Sequence, residues 1–458
     1  MSLYVDYRTE AWSVIDLETT IRNTGEDAVG KSTGSPHHPD NKIFLYGVTK
    51  GTIPNSFSPH PKKWPRDTFR IQKDPEDLFI ILQHVNLLVG HNIKFDILYL
   101  LYNHYDEFMD WLRKGGKIWD TMHAEYLLTQ QEEQFAPLGN KYKKVFTPVA
   151  GGTTLEEKVL VREGLGPKYG GTDKDDKIAE YWNAGIDTPD IPFDLLYEYL
   201  QDDLRNTSIV YVEQLELALA KGASFMKLLT SQMDAIVATS MIEYNGIRMD
   251  VYAASEKAEE IAVRHDAQEE WLQSIMADEL NLHIHPSLPA VEFIKPKECN
   301  PASAQQLSTV LFGGQFKFVR DIQQVDENGN AIRYKTGPRK GQPKTKKTEL
   351  LVDIPETLAP FTAYSSDIDS NSNGKKLDES TLKKLKGKVK PKWELFIDSL
   401  LEYRSLEKEL SVSYMGLMKL VWPTDSCVHG NLNHTATNTG RLSSSAPNMQ
   451  NFSGKETD

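Results

Sequence analysis

Three short acidic segments, far apart in the chain, most constrain what it can fold into: Asp16-Leu17-Glu18, Asn92-x-x-x-Asp96 and Tyr199-x-x-x-Asp203. Asp16 and Glu18 close the β-branched run Val14-Ile15-Asp16-Leu17-Glu18-Thr19-Thr20. A strand places residues i and i+2 on one face, so both carboxylates can reach the same point. Asn92 and Asp96, like Tyr199 and Asp203, are spaced i, i+4 and share a face if each pair lies on a helix. Any one of these acids alone reads as an ordinary exposed side chain. As an ordered set, with two members on a strand that reads as buried, they require cations, because buried unpaired carboxylates are too costly to keep.

The length of 458 residues allows two or three domains. No apolar run is long enough to span a bilayer, and the N-terminus lacks a signal-peptide pattern. The expectation is a soluble intracellular protein without membrane partners. Cys299 and Cys427 are the only cysteines, which argues for free thiols and against a disulfide framework or a cysteine-based zinc site. The net charge of −13 argues against polyanion binding over the whole surface but leaves room for local basic grooves. Residues 331–348 contain seven Lys or Arg and no acid, among them Lys344, Lys346 and Lys347. Residues 375–392 add eight Lys against two acids. Positive charge is therefore concentrated in one region.

Along the chain, residues 12–20 read as a strand with 43–48 as its antiparallel partner. The Gly/Ser/Pro/His-rich stretch 23–40 reads as a mobile loop beside the acids, with His37 and His38 solvated. Residues 77–84 read as a short helix, 87–89 as a buried strand and 92–102 as a helix. Residues 118–121 open the next helix, to 128, and 194–218 form a long one. Strands first, then helices interleaved with buried strands, give an α/β domain over 1–218. A mainly helical second region covers 225–424, with Pro301 at the first turn of a helix. Its segment 313–390 reads as polar, basic and irregular, most of all 365–376. Phe396, Leu400, Tyr403, Leu410, Tyr414, Leu417 and Val421 mark one helical stripe.

Hydrolysis of a phosphodiester needs an activated water, charge neutralisation and a stabilised leaving oxygen. Two hard cations about 4 Å apart, held by carboxylates, supply all three. Asp16 is placed to bridge two ions, with Glu18 and Asp203 completing one site and Asp96 holding the other, partly through water. Tyr199, one turn before Asp203, orients the water rather than deprotonating it, since a tyrosine titrates near 10. An all-oxygen site suits Mg²⁺ or Mn²⁺.

These three segments resemble the motifs of a DEDD-type 3′–5′ exonuclease in its tyrosine variant. The later blocks narrow the resemblance. They are Glu243-Tyr244-Asn245-Gly246-Ile247-Arg248-Met249-Asp250, Asn300-Pro301-Ala302-Ser303, Leu401-Glu402-Tyr403-Arg404 and, above all, Thr437-Asn438-Thr439-Gly440-Arg441-Leu442-Ser443-Ser444-Ser445 with Pro447-Asn448-Met449-Gln450-Asn451. They resemble family A DNA polymerases of phage type over nearly the whole chain. The resemblance implies an RNase H-like proofreading exonuclease domain to residue 218. It also implies a palm edge and thumb over 225–424, with a basic insertion at about 313–390, and the start of a palm over 425–458.

By the same resemblance Asn92, Arg441, Asn448 and Gln450 contact DNA, Arg441 at the primer end. Lys344, Lys346 and Lys347 would track phosphates, against the alternative of a solvated loop. The implied partners are a single-stranded 3′ end and a primer–template duplex, with a processivity factor possible on the thumb insertion, where phage relatives recruit one. The cytoplasm of a bacterial host would be the location if a phage encodes the chain. The family's two polymerase metal aspartates do not follow Asn451. The expectation is therefore one chain of a polymerase split over two polypeptides, with a truncated form of a single-chain polymerase as the alternative. Two other functions stay open at this point: a DNA-binding polymerase subunit with a silent nuclease site, and an RNA-trimming exonuclease.

Overall fold

The structure is a computed structural model describing residues 7, 10–21, 34–49, 69–73, 75–128, 135–138, 141–144, 178, 180–284, 293–355, 368–371, 374–437 and 439–449. The chain forms two compact units, Met1–Asp250 with Leu417–Asp458, and Val251–Gly416.

The first unit is built on a five-stranded sheet of order β3-β2-β1-β4-β5. The strands are β1 (Trp12–Thr19), β2 (Ile43–Thr49), β3 (Phe69–Gln72), β4 (Leu87–Gly90) and β5 (Lys117–Asp120). β1 pairs antiparallel with β2 and parallel with β4. It is therefore central, and seven of its eight residues are buried, Asp16 being the exception. Trp12, Val14, Ile15 and Leu17 supply its apolar part, and Ser13, Glu18 and Thr19 are buried with them.

Helices α1 (Leu78–Leu82), α2 (Lys94–Asn103), α3 (Tyr105–Arg113) and α4 (Thr121–Leu128) follow the strands. The long helices α5 (Phe193–Ala220) and α6 (Ala223–Asn245) complete the layers. α5 packs on β1, β2 and β3, while α6 packs on α2 and β5. The division expected near residue 218 falls inside this unit. Gly222, at φ +92°, turns the chain from α5 directly into α6.

Two short C-terminal ladders belong to the same unit. Cys427–Val428 pairs with both Val421–Trp422 and Ile247–Arg248, and Asn431–Asn433 pairs with Ser443–Ser445.

Residues 117–120 form a strand, not the helix start expected from Ile118-Trp119-Asp120-Thr121. Both Ile118 and Trp119 are buried, and a two-sided apolar run this short has no period to separate strand from helix.

In the second unit the helix Val251–Asn281 packs against Pro391–Lys408. The helix Ala304–Phe312 starts after Ser303, whose hydroxyl accepts from Gln306 N at 3.3 Å, so Pro301 precedes the helix instead of opening it. The segment read as irregular contains a long antiparallel hairpin, Gly314–Gln323 with Thr345–Ile354. Phe316, Phe318, Val352 and Ile354 are buried in the unit's core. They alternate with exposed residues, Lys317 and Asp353 among them, a period of two that the lysines around them obscure.

The stripe running to Val421 also breaks. Phe396, Leu400, Tyr403 and Leu406 are buried, but Glu409–Tyr414 is a π-helical turn that rotates the following residues off that face. Among the described residues no helix is long and apolar enough to cross a membrane.

Candidate functional site

β1, α2 and α5 bring Asp16, Glu18, Asp96, Tyr199 and Asp203 to the lining of one cavity of about 490 Å³. Asp16 and Glu18 share a face of the central strand, and Tyr199 and Asp203 share a face of α5. Gly47 makes this approach possible: it lies opposite Asp16 on β2, and a side chain there would collide with Leu204 and Leu200 of α5. Asp96, only 3 % exposed, accepts from Leu17 N at 3.1 Å and so fixes α2 against β1 between the two strand acids.

Asn92 also lines the cavity, but not from the helical face expected. It sits ahead of α2 at φ +54°, a left-handed turn that asparagine tolerates. Its backbone N–H donates to Asp120 Oδ1 at 3.2 Å, and the same oxygen accepts from Met122 N and His123 N. Asp120 is thus a buried brace for the turn that the sequence reading missed. The signal was its place, an acid directly after a buried apolar pair. His91, Trp182, Asn183 and Gly185 line the cavity too, and no motif had marked them.

The electrostatics follow from this crowding. Burial, then the carboxylates of Asp16, Asp203 and Asp96, push Glu18 well above the usual carboxylate range. Burial followed by Asp16 does the same to Asp96. Asp16 rises to about 6, chiefly by burial, with His91 and the Leu17 amide opposing. Among the described residues no lysine or arginine lines the cavity. The four carboxylates form a hard, all-oxygen donor set, which fits divalent cations.

A second set of contacts joins α2 to the C-terminal segment. Lys94 Nζ donates to Glu243 Oε1 at 2.8 Å, to Asn431 Oδ1 and to the Leu432 carbonyl at 2.8 Å. Glu243 Oε1 also accepts from Leu432 N. Both charged side chains are largely buried, at 13 % and 3 % exposed. Glu243→Gln leaves Lys94 without its counter-ion and is expected to destabilise the first unit by about 3 kcal/mol, read as a lower denaturant midpoint. An unchanged midpoint would mean that Asn431 and Leu432 satisfy the ammonium alone.

His37 is not the solvated loop histidine expected. Its ring stacks on His429 at 4.0 Å, and its Nδ1 lies 2.6 Å from Tyr102 Oη. Burial and His429 push it down to about 3. Asp425, Cys427 and His429 bring potential ligand atoms within 4.8 Å of one another. Hydrogen bonding accounts for that group: His429 meets the Glu243 carbonyl at 2.6 Å and Asp425 Oδ2 at 2.9 Å.

The other expected DNA contacts lie elsewhere. Arg441 and Asn448 are exposed on the C-terminal segment, and Gln450 lies outside the described residues, as do residues 22–33 of the expected loop. Lys344, Lys346 and Lys347 are exposed in and beside the second unit's hairpin.

The family model for DNA polymerase family A matches residues 352–458. DNA polymerase I of Synechocystis sp. is 41 % identical over 79 residues, 17 % of this chain and 8 % of that protein. DNA polymerase I of Geobacillus stearothermophilus is 43 % identical over 65 residues, 14 % and 7 % of the two chains. The thermostable DNA polymerase I of Thermus filiformis is 47 % identical over 56 residues, 12 % and 7 %. The matched stretches are thus under a tenth of these relatives' length. Among solved structures, the POL domain of Pol1 from M. smegmatis, in complex with DNA primer-template and dNTP, is similar in fold. Its TM-score is 0.52 at 16 % identity, over 99 % of this chain and 54 % of that one.

Proposed function

From residue 352 onward this chain is related to family A DNA polymerases, and on that premise we propose that its first unit is their 3′–5′ proofreading exonuclease, an RNase H-like α/β domain. One observation carries the reading: the four acids and Tyr199, drawn from three distant segments, line a single cavity in which, among the described residues, no lysine or arginine faces them. A central strand carrying two of the acids, in a mixed sheet flanked by helices, supports it.

Asp16, Glu18, Asp96 and Asp203 would hold two divalent cations, Mg²⁺ or Mn²⁺, which when bound neutralise the phosphate and lower the pKa of water. The chain's own groups do the rest. Tyr199 offers a hydroxyl to orient the attacking water. Asp96, held by Leu17 N, keeps α2 in register with the strand acids. The cavity, of about 490 Å³, is in the range that takes a small organic group, and Phe95 and Trp182 offer ring faces in its lining. Arg441 and Asn448 offer a forked donor and an amide suited to the duplex near the primer end. The exposed lysines 344, 346 and 347 suit phosphates.

The test is incubation of the purified chain with Mg²⁺ and a 5′-labelled primer–template. Stepwise loss from the 3′ end is expected, indifferent to dNTPs. Firm binding without shortening would overturn the nuclease reading in favour of a DNA-binding chain with a silent site. In the same assay Tyr199→Phe is expected to slow shortening by about 10- to 100-fold while Mn²⁺ binding persists, as loss of an orienting hydroxyl requires. Loss of Mn²⁺ binding in that variant would make Tyr199 a structural support of the site instead.

A further inference from the structure

The second unit buries a histidine among three carboxylates. His265, on the helix Val251–Asn281, is 8 % exposed, and its ring stacks on Tyr403 of the helix Pro391–Lys408 at 4.8 Å. Its Nδ1 lies 3.1 Å from Asp266 Oδ1 and its Nε2 lies 2.9 Å from Glu407 Oε2. Glu269 follows His265 by one turn, so the two share a face of their helix. His265, Asp266 and Glu269 bring ligand atoms within 4.8 Å of one another. Burial, then Glu269 and Glu407, push the Tyr403 hydroxyl up, so both carboxylates bear on the same spot. Gln273 donates to Glu269 at 3.0 Å, but among the described residues no lysine or arginine forms an ion pair with Asp266, Glu269 or Glu407.

A neutral imidazole cannot serve carboxylates on both sides, because it has one N–H and one lone pair. A proton on Nδ1 serves Asp266 and leaves Nε2 bare against Glu407. Nε2 is shut off from solvent and makes no hydrogen bond, a cost that buried polar atoms rarely bear. A cation at Nδ1 removes the conflict. It takes the lone pair there, the proton sits on Nε2, and Glu407 accepts it. Metal-bound histidines keep a carboxylate or carbonyl on their other nitrogen in this way.

We propose that His265 Nδ1, Asp266 and Glu269 bind a divalent transition-metal ion, with Glu407 orienting the imidazole from the neighbouring helix. One nitrogen and two carboxylates suit Zn²⁺, and the nitrogen sets the site against Mg²⁺, which takes oxygen ligands. The Asp266 side chain is 73 % exposed, so an ion enters from solvent. Once bound, it ties the middle of Val251–Asn281 to the last turn of Pro391–Lys408, directly before the π-helical turn Glu409–Tyr414. The site lies wholly in the second unit and does not depend on the nuclease reading.

The test is titration of the chelator-treated full chain with Zn²⁺ in a large excess of Mg²⁺. The wild type is expected to bind one more Zn²⁺ than His265→Gln does, and Glu407→Gln to weaken that ion by about tenfold. Equal stoichiometries in the wild type and His265→Gln would overturn the proposal, with a second proton on the ring in place of the ion. If the variants do not fold, the unaltered chain still decides. Fe²⁺ with ascorbate and peroxide cuts the backbone close to where it binds. Cuts at 265–269 and near 407, suppressed by Zn²⁺ but not by Mg²⁺, are expected. A chain uncut at both places would equally overturn the proposal.

Discussion

Replacing Asp16 and Glu18 together with Ala is expected to lower metal-dependent shortening of a labelled primer by on the order of a thousandfold, with primer–template affinity retained. The size follows from geometry. These two residues occupy one face of the central strand, and Glu18 feels the charges of the other three acids, so removing both empties the middle of the donor set. Duplex affinity is assigned to other surfaces, the Arg441 segment and the basic hairpin. Shortening that survives in the purified double variant would place the chemistry elsewhere. Loss of duplex binding along with activity would mean that the first unit had come apart.

A comparable effect is expected on stability, with opposite signs for proton and metal. Glu18 and Asp96 titrate well above the usual carboxylate range in the folded chain, and Asp16 near 6. Between the ordinary carboxylate pKa of about 4 and those raised values, the folded state binds protons that the unfolded state does not. These groups therefore favour the fold at low pH and lose that contribution as pH rises through about 6 and beyond. In chelator-treated protein the first unit should melt lower at pH 8 than at pH 6. Mg²⁺ binds the deprotonated folded form, so at a hundred times its Kd it should restore about 2.7 kcal/mol, or roughly 5–10 °C. At pH 5 the same Mg²⁺ should do much less. Glu18→Gln should raise the chelated melting point at pH 8 and weaken the metal response. A melting point indifferent to Mg²⁺ at both pH values would rule out cation binding in this cavity.

The sequence carried the candidate site almost complete because its determinants are local. Asp16 and Glu18 need only a strand, and Tyr199 and Asp203 only a helix. The order of the three segments implied their convergence. What escaped were residues whose position depends on tertiary contacts. Asp120 looks like an unremarkable acid until its oxygen gathers the amides of Asn92, Met122 and His123. Asn92 has the spacing of a helical residue, but the turn between β4 and α2 holds it in left-handed backbone. His37 has loop neighbours on both sides in sequence, and its packing comes from the distant Tyr102, Trp422 and His429. The hairpin 314–354 was hidden for another reason. Its inward residues alternate as a strand's must, but the outward lysines and turn residues dominate the composition, and composition favours disorder where alternation favours a sheet.

The first unit is made from two stretches of chain separated by the whole of the second. This fixes an order of events at the ribosome. The acid cavity needs nothing beyond Asp203, so its walls exist once α5 has emerged. Ile247–Arg248 has no partner until Cys427–Val428 is synthesised, and Lys94 and Glu243 wait equally long for Asn431 and Leu432. For that interval a strand edge and a buried-type ion pair face water. The nascent chain is then most exposed to wrong pairing at this edge of its first unit, until residues 427–432 arrive to cover it.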